Sequence, residues 1–209
     1  SNPGVVVMNA GTGSLSFGVG GDLSNANVLS YGGSTSSREM YAGGTVTFGS
    51  GNFGLSGADL SLVAGAALNF NGGSAIIGRN VSFISPTVNL YGSITAHATS
   101  ATPASITSSN GTTLSYTGIG FIANNFTAYG GSMTTTTSTG DISGLVLGNL
   151  SLNTGSSFTA GNDIDLVLAG STSKLSLSDG SYMHADYVTN QPATIYIDFL
   201  SRTSGGIFI

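Results

Sequence analysis

A degenerate repeat of about 20 residues, built from short alternating strands, constrains this chain more than any other feature. Asp59-Leu60-Ser61-Leu62 is followed by Leu68-Asn69-Phe70-Asn71-Gly72-Gly73. Asn80-Val81-Ser82-Phe83 is followed by Val88-Asn89-Leu90-Tyr91-Gly92-Ser93, and Asn149-Leu150-Ser151-Leu152 by Phe158-Thr159-Ala160-Gly161. A unit of this length cannot bury its own apolar face and needs neighbours to cover it. The reading that follows is an all-β, right-handed parallel β-solenoid (β-helix) forming a single elongated rod over residues 1–209.

Repeat starts near Leu60, Val81, Phe126, Leu150 and Ile164 are separated by 21, 45, 24 and 14 positions. The gap of 45 fits two coils with a looser insertion near 99–113, whereas the step of 14 fits no coil. Nine or ten coils are expected, spaced about 4.8 Å apart, in a rod about 45 Å long. Alternation places Leu60, Leu62, Leu68, Phe70, Val81, Phe83, Val88, Leu90, Leu150, Leu152, Ile164, Leu166, Leu175, Leu177, Ile195 and Ile197 inside. No window carries a helical period, and 33 glycines oppose one.

Charge narrows the function classes. Only 6% of residues are charged, against about 25% in ordinary soluble domains, so little electrostatic repulsion opposes self-association. Four Lys and Arg in a chain of net charge −5 exclude a phosphate-neutralising nucleic-acid surface. The same shortage argues against anionic membranes, and no unbroken apolar stretch predicts membrane insertion. Cysteine is absent, which is compatible with secretion. The start at Ser1-Asn2-Pro3, without Met, is what a mature or excised product would show.

The tail from 181 to 209 is richer in aromatic and charged residues and finishes on the apolar run Gly206-Ile207-Phe208-Ile209. An apolar strand without a polar cap is read as an assembly end, Ile207, Phe208 and Ile209, where the chain continues or another copy adds. Self is therefore the expected partner, end to end. Asn80, Asn125 and Asn149 share a repeat position and are read as an asparagine stack with amides bonded from coil to coil. The same three residues, with Asn110, begin the four Asn-x-Ser/Thr sequons, for which the stack is the preferred reading over glycans. Tyr-Gly-Gly recurs at Tyr31 and Tyr129, and Tyr129 with Tyr187 is a candidate face for a glycan or host-surface ligand.

Catalytic chemistry finds little support. His97 and His184 lack metal-ligand spacing, and no cofactor or metal is expected. Asp163 and Asp165 lie two apart, on one side of a strand, and are the candidates for a polysaccharide-degrading enzyme, the third alternative. The favoured reading is non-enzymatic: a secreted or cell-surface, fibre-forming protein, with an adhesin segment as the alternative.

Three segments carry a family likeness. Phe158-Thr159-Ala160-Gly161-Asn162-Asp163-Ile164, Leu175-Ser176-Leu177-Ser178-Asp179 and the run from Ile195 to Ile207 resemble filamentous-haemagglutinin-like exoproteins. The resemblance covers about the last 60 residues; upstream it is one of repeat style. It implies a bacterial, two-partner-secreted protein with a right-handed β-helical shaft, acting in adhesion or fibre formation without catalytic residues. Asn2-Pro3-Gly4 is a fragment of that family's Asn-Pro-Asn-Gly-type secretion motif, so the chain resembles shaft.

Overall fold

The computed structural model describes residues 5–9, 11–13, 15–17, 23–28, 37–99, 103–186, 193–200 and 206–208. Among these every regular element is a strand, and no helix occurs. The first are β1 (Val5–Asn9), β2 (Leu15–Phe17) and β3 (Leu23–Val28), then β4 (Ser37–Ala42), β5 (Val46–Phe48) and β6 (Gly51–Leu55). Next come β7 (Leu60–Ala64), β8 (Ala67–Phe70) and β9 (Ser74–Gly78), followed by β10 (Val81–Leu90) and β11 (Ser93–Ala96). After β12 (Ala104–Thr107) and β13 (Thr113–Tyr116) the chain forms β14 (Gly118–Tyr129) and β15 (Ser132–Thr135). It goes on through β16 (Asp141–Val146), β17 (Leu150–Asn153), β18 (Ser157–Ala160), β19 (Ile164–Leu168), β20 (Lys174–Leu177) and β21 (Tyr182–Ala185). β22 (Ile195–Phe199) and β23 (Gly206–Phe208) complete the series.

Pairing sorts these strands into three parallel rows. The first runs β1-β4-β7-β10-β14-β16-β19-β22, with Leu60 opposite Val81, Val81 opposite Ile119 and Ile142 opposite Ile164. The second runs through β2, β5 and β8, the far halves of β10 and β14, then β17, β20 and β23. Because β10 and β14 span both rows, these two rows form one sheet of 14 strands. The third is a separate sheet of seven, β3-β6-β9-β11-β15-β18-β21. Successive residues in each strand face opposite sides, so one apolar ladder per row points inward.

The interior is built from large side chains at those alternate positions. Phe48, Phe53, Phe70, Phe83, Phe121, Phe126 and Phe158 are fully buried. Phe48 lies 5.5 Å from Phe70 and Phe83 lies 5.4 Å from Phe121, both nearly coplanar in orientation, because equal inward positions on paired strands bring like rings together. Of the side chains expected inside, those from Leu60 to Leu175 are buried, while Leu177 and Ile197 are partly covered. Ile195 departs from the expectation at 44% exposure, on β22, the last strand of its row among the described residues.

Register also explains the repeat step that fits no coil. Leu150 pairs with Phe126 and Leu175 in the second row, whereas Ile164 pairs with Ile142 and Ile195 in the first. The two residues belong to different rows, and the step of 14 joins unlike positions. The expected looser insertion near 99–113 overlaps a hairpin that runs on to Tyr116, the one antiparallel pairing among the described strands, β12 with β13, Ile106 opposite Leu114. This hairpin packs on the outer face of β14 and β16.

Candidate functional site

Three features gather chemistry on the surface, and each follows from register. The first is a polar line at the entry to the first row. Asp59, Asn80, Gly118, Asp141, Asp163 and Thr194 each immediately precede or open a strand, and the pairing aligns them. At Gly118 the Asp141 N–H is donated to the Thr117 carbonyl. Elsewhere four side-chain oxygens accept the next backbone N–H: Asn80 to Asp59 at 3.2 Å, Gly118 to Asn80 at 2.9 Å, Asp163 to Asp141 at 3.2 Å and Thr194 to Asp163 at 2.7 Å. These N–H groups at a corner lack a strand partner, and leaving them unbonded would cost about 1–3 kcal/mol each. Arg79 closes the line at one end through Nε to Asp59 Oδ1 at 2.9 Å.

That geometry redistributes the asparagines expected to form one stack. Asn149 donates its backbone N–H to Asn125 Oδ1 at 3.0 Å, in the second row. Asn80 stands apart in the first row, where its amide nitrogen donates to Asp59 Oδ1 at 3.0 Å. An amide-to-amide bond does occur at a third position, Asn89 Nδ2 to Asn69 Oδ1 at 2.8 Å. An asparagine before a strand reads the same in sequence whichever row the strand joins.

The carboxylates Asp141, Asp163 and Asp165 collect at the far end of the line. Asp141 accepts from Asn162 Nδ2 at 2.8 Å, and Asp163 also accepts the Thr194 hydroxyl at 2.9 Å. Burial pushes the Asp141 carboxyl above its ordinary value, against the lowering effect of its bonds from Asn162 and the Asp163 backbone. Asp165 is also raised, by desolvation and then by the negative charges of Asp163 and Asp141. Asp163 spends Oδ1 on Thr194 and Oδ2 on Asn162 Nδ2 at 3.1 Å, so of the pair proposed for acid–base work Asp163 is engaged in the chain turn. Among the described residues no group of three or more His, Cys, Asp or Glu is placed to hold a metal ion. His97 bonds Thr136 at 2.7 Å and His184 bonds Asp186 at 2.8 Å, with β15 and β18 between their strands.

Asp141 gives a signed expectation. A carboxyl raised in the folded state binds its proton more tightly there than in the unfolded chain. Its contribution to stability is therefore full below its ordinary value near 3.8 and is lost as pH rises through the raised folded value. Asp141→Asn keeps the acceptor oxygen without the charge. Unfolding midpoints in denaturant from about pH 4 to 7 should fall with pH in the native chain and fall less in Asp141→Asn. A variant that loses stability equally at every pH would defeat this assignment.

The second feature is an exposed tyrosine pair. Leu90 lies opposite Ala128, so Tyr91 and Tyr129 leave the sheet side by side, ring centroids 5.1 Å apart and 16° from parallel. They are 46% and 43% exposed. Tyr91 opens Tyr91-Gly92-Ser93, which lacks the second glycine of the Tyr-Gly-Gly motif, so the motif alone missed it. Tyr187 and Tyr31, the other aromatics singled out, lie outside the described residues, as does Ile209. Ile207 and Phe208 lie in β23, opposite Leu175 and Ser176 of β20.

No family model, curated protein or solved structure matches the chain. Among the described residues, no helix is long and apolar enough to cross a membrane.

The third feature is the outer face of the first row. Tyr41, Val63, Ile84, Ile122, Leu145 and Val167 form an outward apolar ladder across consecutive strands. The hairpin covers part of it: Ile106 and Tyr116 join Ile122 and Leu145 in a second apolar cluster. Tyr116 lies flat over Gly120, where a Cβ would sit 2.4 Å from its ring, so only glycine admits the ring there. Beside the hairpin turn the ladder borders a groove of about 480 Å³.

Proposed function

We propose that this chain is a right-handed parallel β-solenoid serving as a structural shaft, secreted or displayed at a bacterial cell surface, which extends by strand-to-strand addition. The observation that carries the reading is the parallel pairing of three rows, in register except for a shift between β3 and β6, each with its own inward ladder. Closing the two sheets around one interior gives the coil its cross-section, and inward Phe, Leu and Ile fill it. The resemblance of residues 158–207 to filamentous-haemagglutinin-like shafts supports the same reading. The backbone edges of β21, β22 and β23 are where further strands add, from the same polypeptide or another copy, and Ile207 and Phe208 belong to that edge.

Electron microscopy and sedimentation of the 209-residue chain across a concentration series test it. Rods that lengthen with concentration are expected, with a fibre reflection near 4.8 Å along the rod. Ile207→Pro removes an edge N–H and should shorten them. Compact particles of constant mass at every concentration would overturn both shape and assembly. A second reading, an adhesin segment, rests on the exposed Tyr91–Tyr129 pair, which offers aromatic surface to a glycan or host protein. No cofactor enters either reading.

A further inference from the structure

We propose that the groove beside the hairpin binds a neutral, unbranched oligosaccharide, an activity beyond the structural role argued above. Its floor crosses β4, β7, β10, β14 and β16, five strands adjacent in the sheet. At about 4.8 Å per strand the floor is about 19 Å long, a trough rather than a pit. The hairpin turn forms one wall, from Thr107 to Asn110 and at Thr112.

Three properties of the lining select the occupant. No Asp, Glu, Lys, Arg or His lines the groove, so a charged ligand entering it would lose water without gaining a counter-charge. The polar groups present are hydroxyls and carboxamides, the partners that sugar hydroxyls use. Asn110 Oδ1 is already fixed by Thr112 N–H at 3.2 Å and by the Ser108 hydroxyl, which turns its amide nitrogen into an oriented donor. Asn124 contributes an exposed carboxamide from the floor. Third, Tyr41 is 51% exposed at one end, next to Val63 and Ile84, an aromatic and aliphatic surface for the C–H face of a pyranose ring.

A peptide strand fits less well. β-Augmentation needs a strand edge, and the hairpin offers the groove mainly its turn. A neutral sugar chain needs only the side chains already described, repeated along a trough.

Titration calorimetry with neutral oligomers of glucose, xylose, mannose and N-acetylglucosamine tests the assignment, with oligogalacturonate as the anionic comparison and an extended-peptide library as the alternative occupant. At least one neutral series should bind, with affinity rising with chain length until the oligomer spans the floor. Tyr41→Ala should weaken that binding by about tenfold or more, Tyr41→Phe should largely restore it, and Tyr182→Ala, exposed and away from the groove, should leave it unchanged. Tyr41 is exposed, so circular dichroism should show the fold of both variants intact. The proposal is overturned if no neutral oligomer binds, if Tyr129→Ala weakens binding and Tyr41→Ala does not, or if only the anionic oligomer or a peptide is held.

Discussion

Phe121→Ala should destabilise the chain by about 3–5 kcal/mol, the usual loss for a fully buried aromatic. Phe121 sits where the phenylalanine ladders meet, 5.4 Å from Phe83, 5.0 Å from Phe126 and 6.3 Å from Phe158. Its strand partner at the same inward position is Gly144, and the ring lies over that glycine. A Cβ on Gly144 would stand 2.3 Å from Phe121 Cζ, so Gly144→Ala alone should also destabilise by overpacking. Combining Gly144→Ala with Phe121→Leu should recover part of both losses, because the smaller side chain makes room for the added methyl. Denaturant unfolding of the variants and of exposed Tyr182→Ala measures this. A loss below about 1 kcal/mol for Phe121→Ala would show that the ladder does not hold the core.

The second large effect is expected at Gly54. Its φ is +98°, a conformation that side-chain-bearing residues rarely adopt, and a Cβ there would stand 2.0 Å from the Ile77 carbonyl oxygen on the paired strand. Backbone strain of about 1–3 kcal/mol and a comparable steric cost act together on Gly54→Ala. A loss of about 3 kcal/mol, or a fall in Tm of about 6–12 °C, is expected. Gly72→Ala is the comparison, since nothing lies within 4 Å of the methyl it would add. Equal melting temperatures for the two variants would refute the account of Gly54.

Strand alternation made the inward ladder readable wherever a row carried one strong apolar side chain at every second residue, as in Leu60-Ser61-Leu62. It failed around Gly118-Ile119-Gly120-Phe121-Ile122-Ala123, where both faces of the strand are buried. Ile119 and Phe121 face the core while Ile122 lies beneath the hairpin, so the pattern loses its period there. The surface was harder still. Asn80 and Asn149 look equivalent because each precedes an apolar strand, and only register tells the first row from the second. The groove left no motif, since its residues come from five strands and a turn and share only the absence of charge. Tyr129 was readable, and its partner Tyr91 became evident once β10 and β14 were aligned.

The hairpin has a consequence for how such a chain can vary. Between β9 and β10 the polypeptide passes from the third row to the first through Arg79 and Asn80 alone. One unit later the same passage carries the whole hairpin, yet Gly118 still bonds Asn80, 38 residues away, and Val81 still faces Ile119. The length of this connection is thus decoupled from the frame that receives it. Doubling such a connection costs only about 0.6 kcal/mol of closure entropy. This corner works as a splice point on a fixed chassis, where one spliced segment can be exchanged for another and the chain's outer contacts rewritten while its interior stays the same.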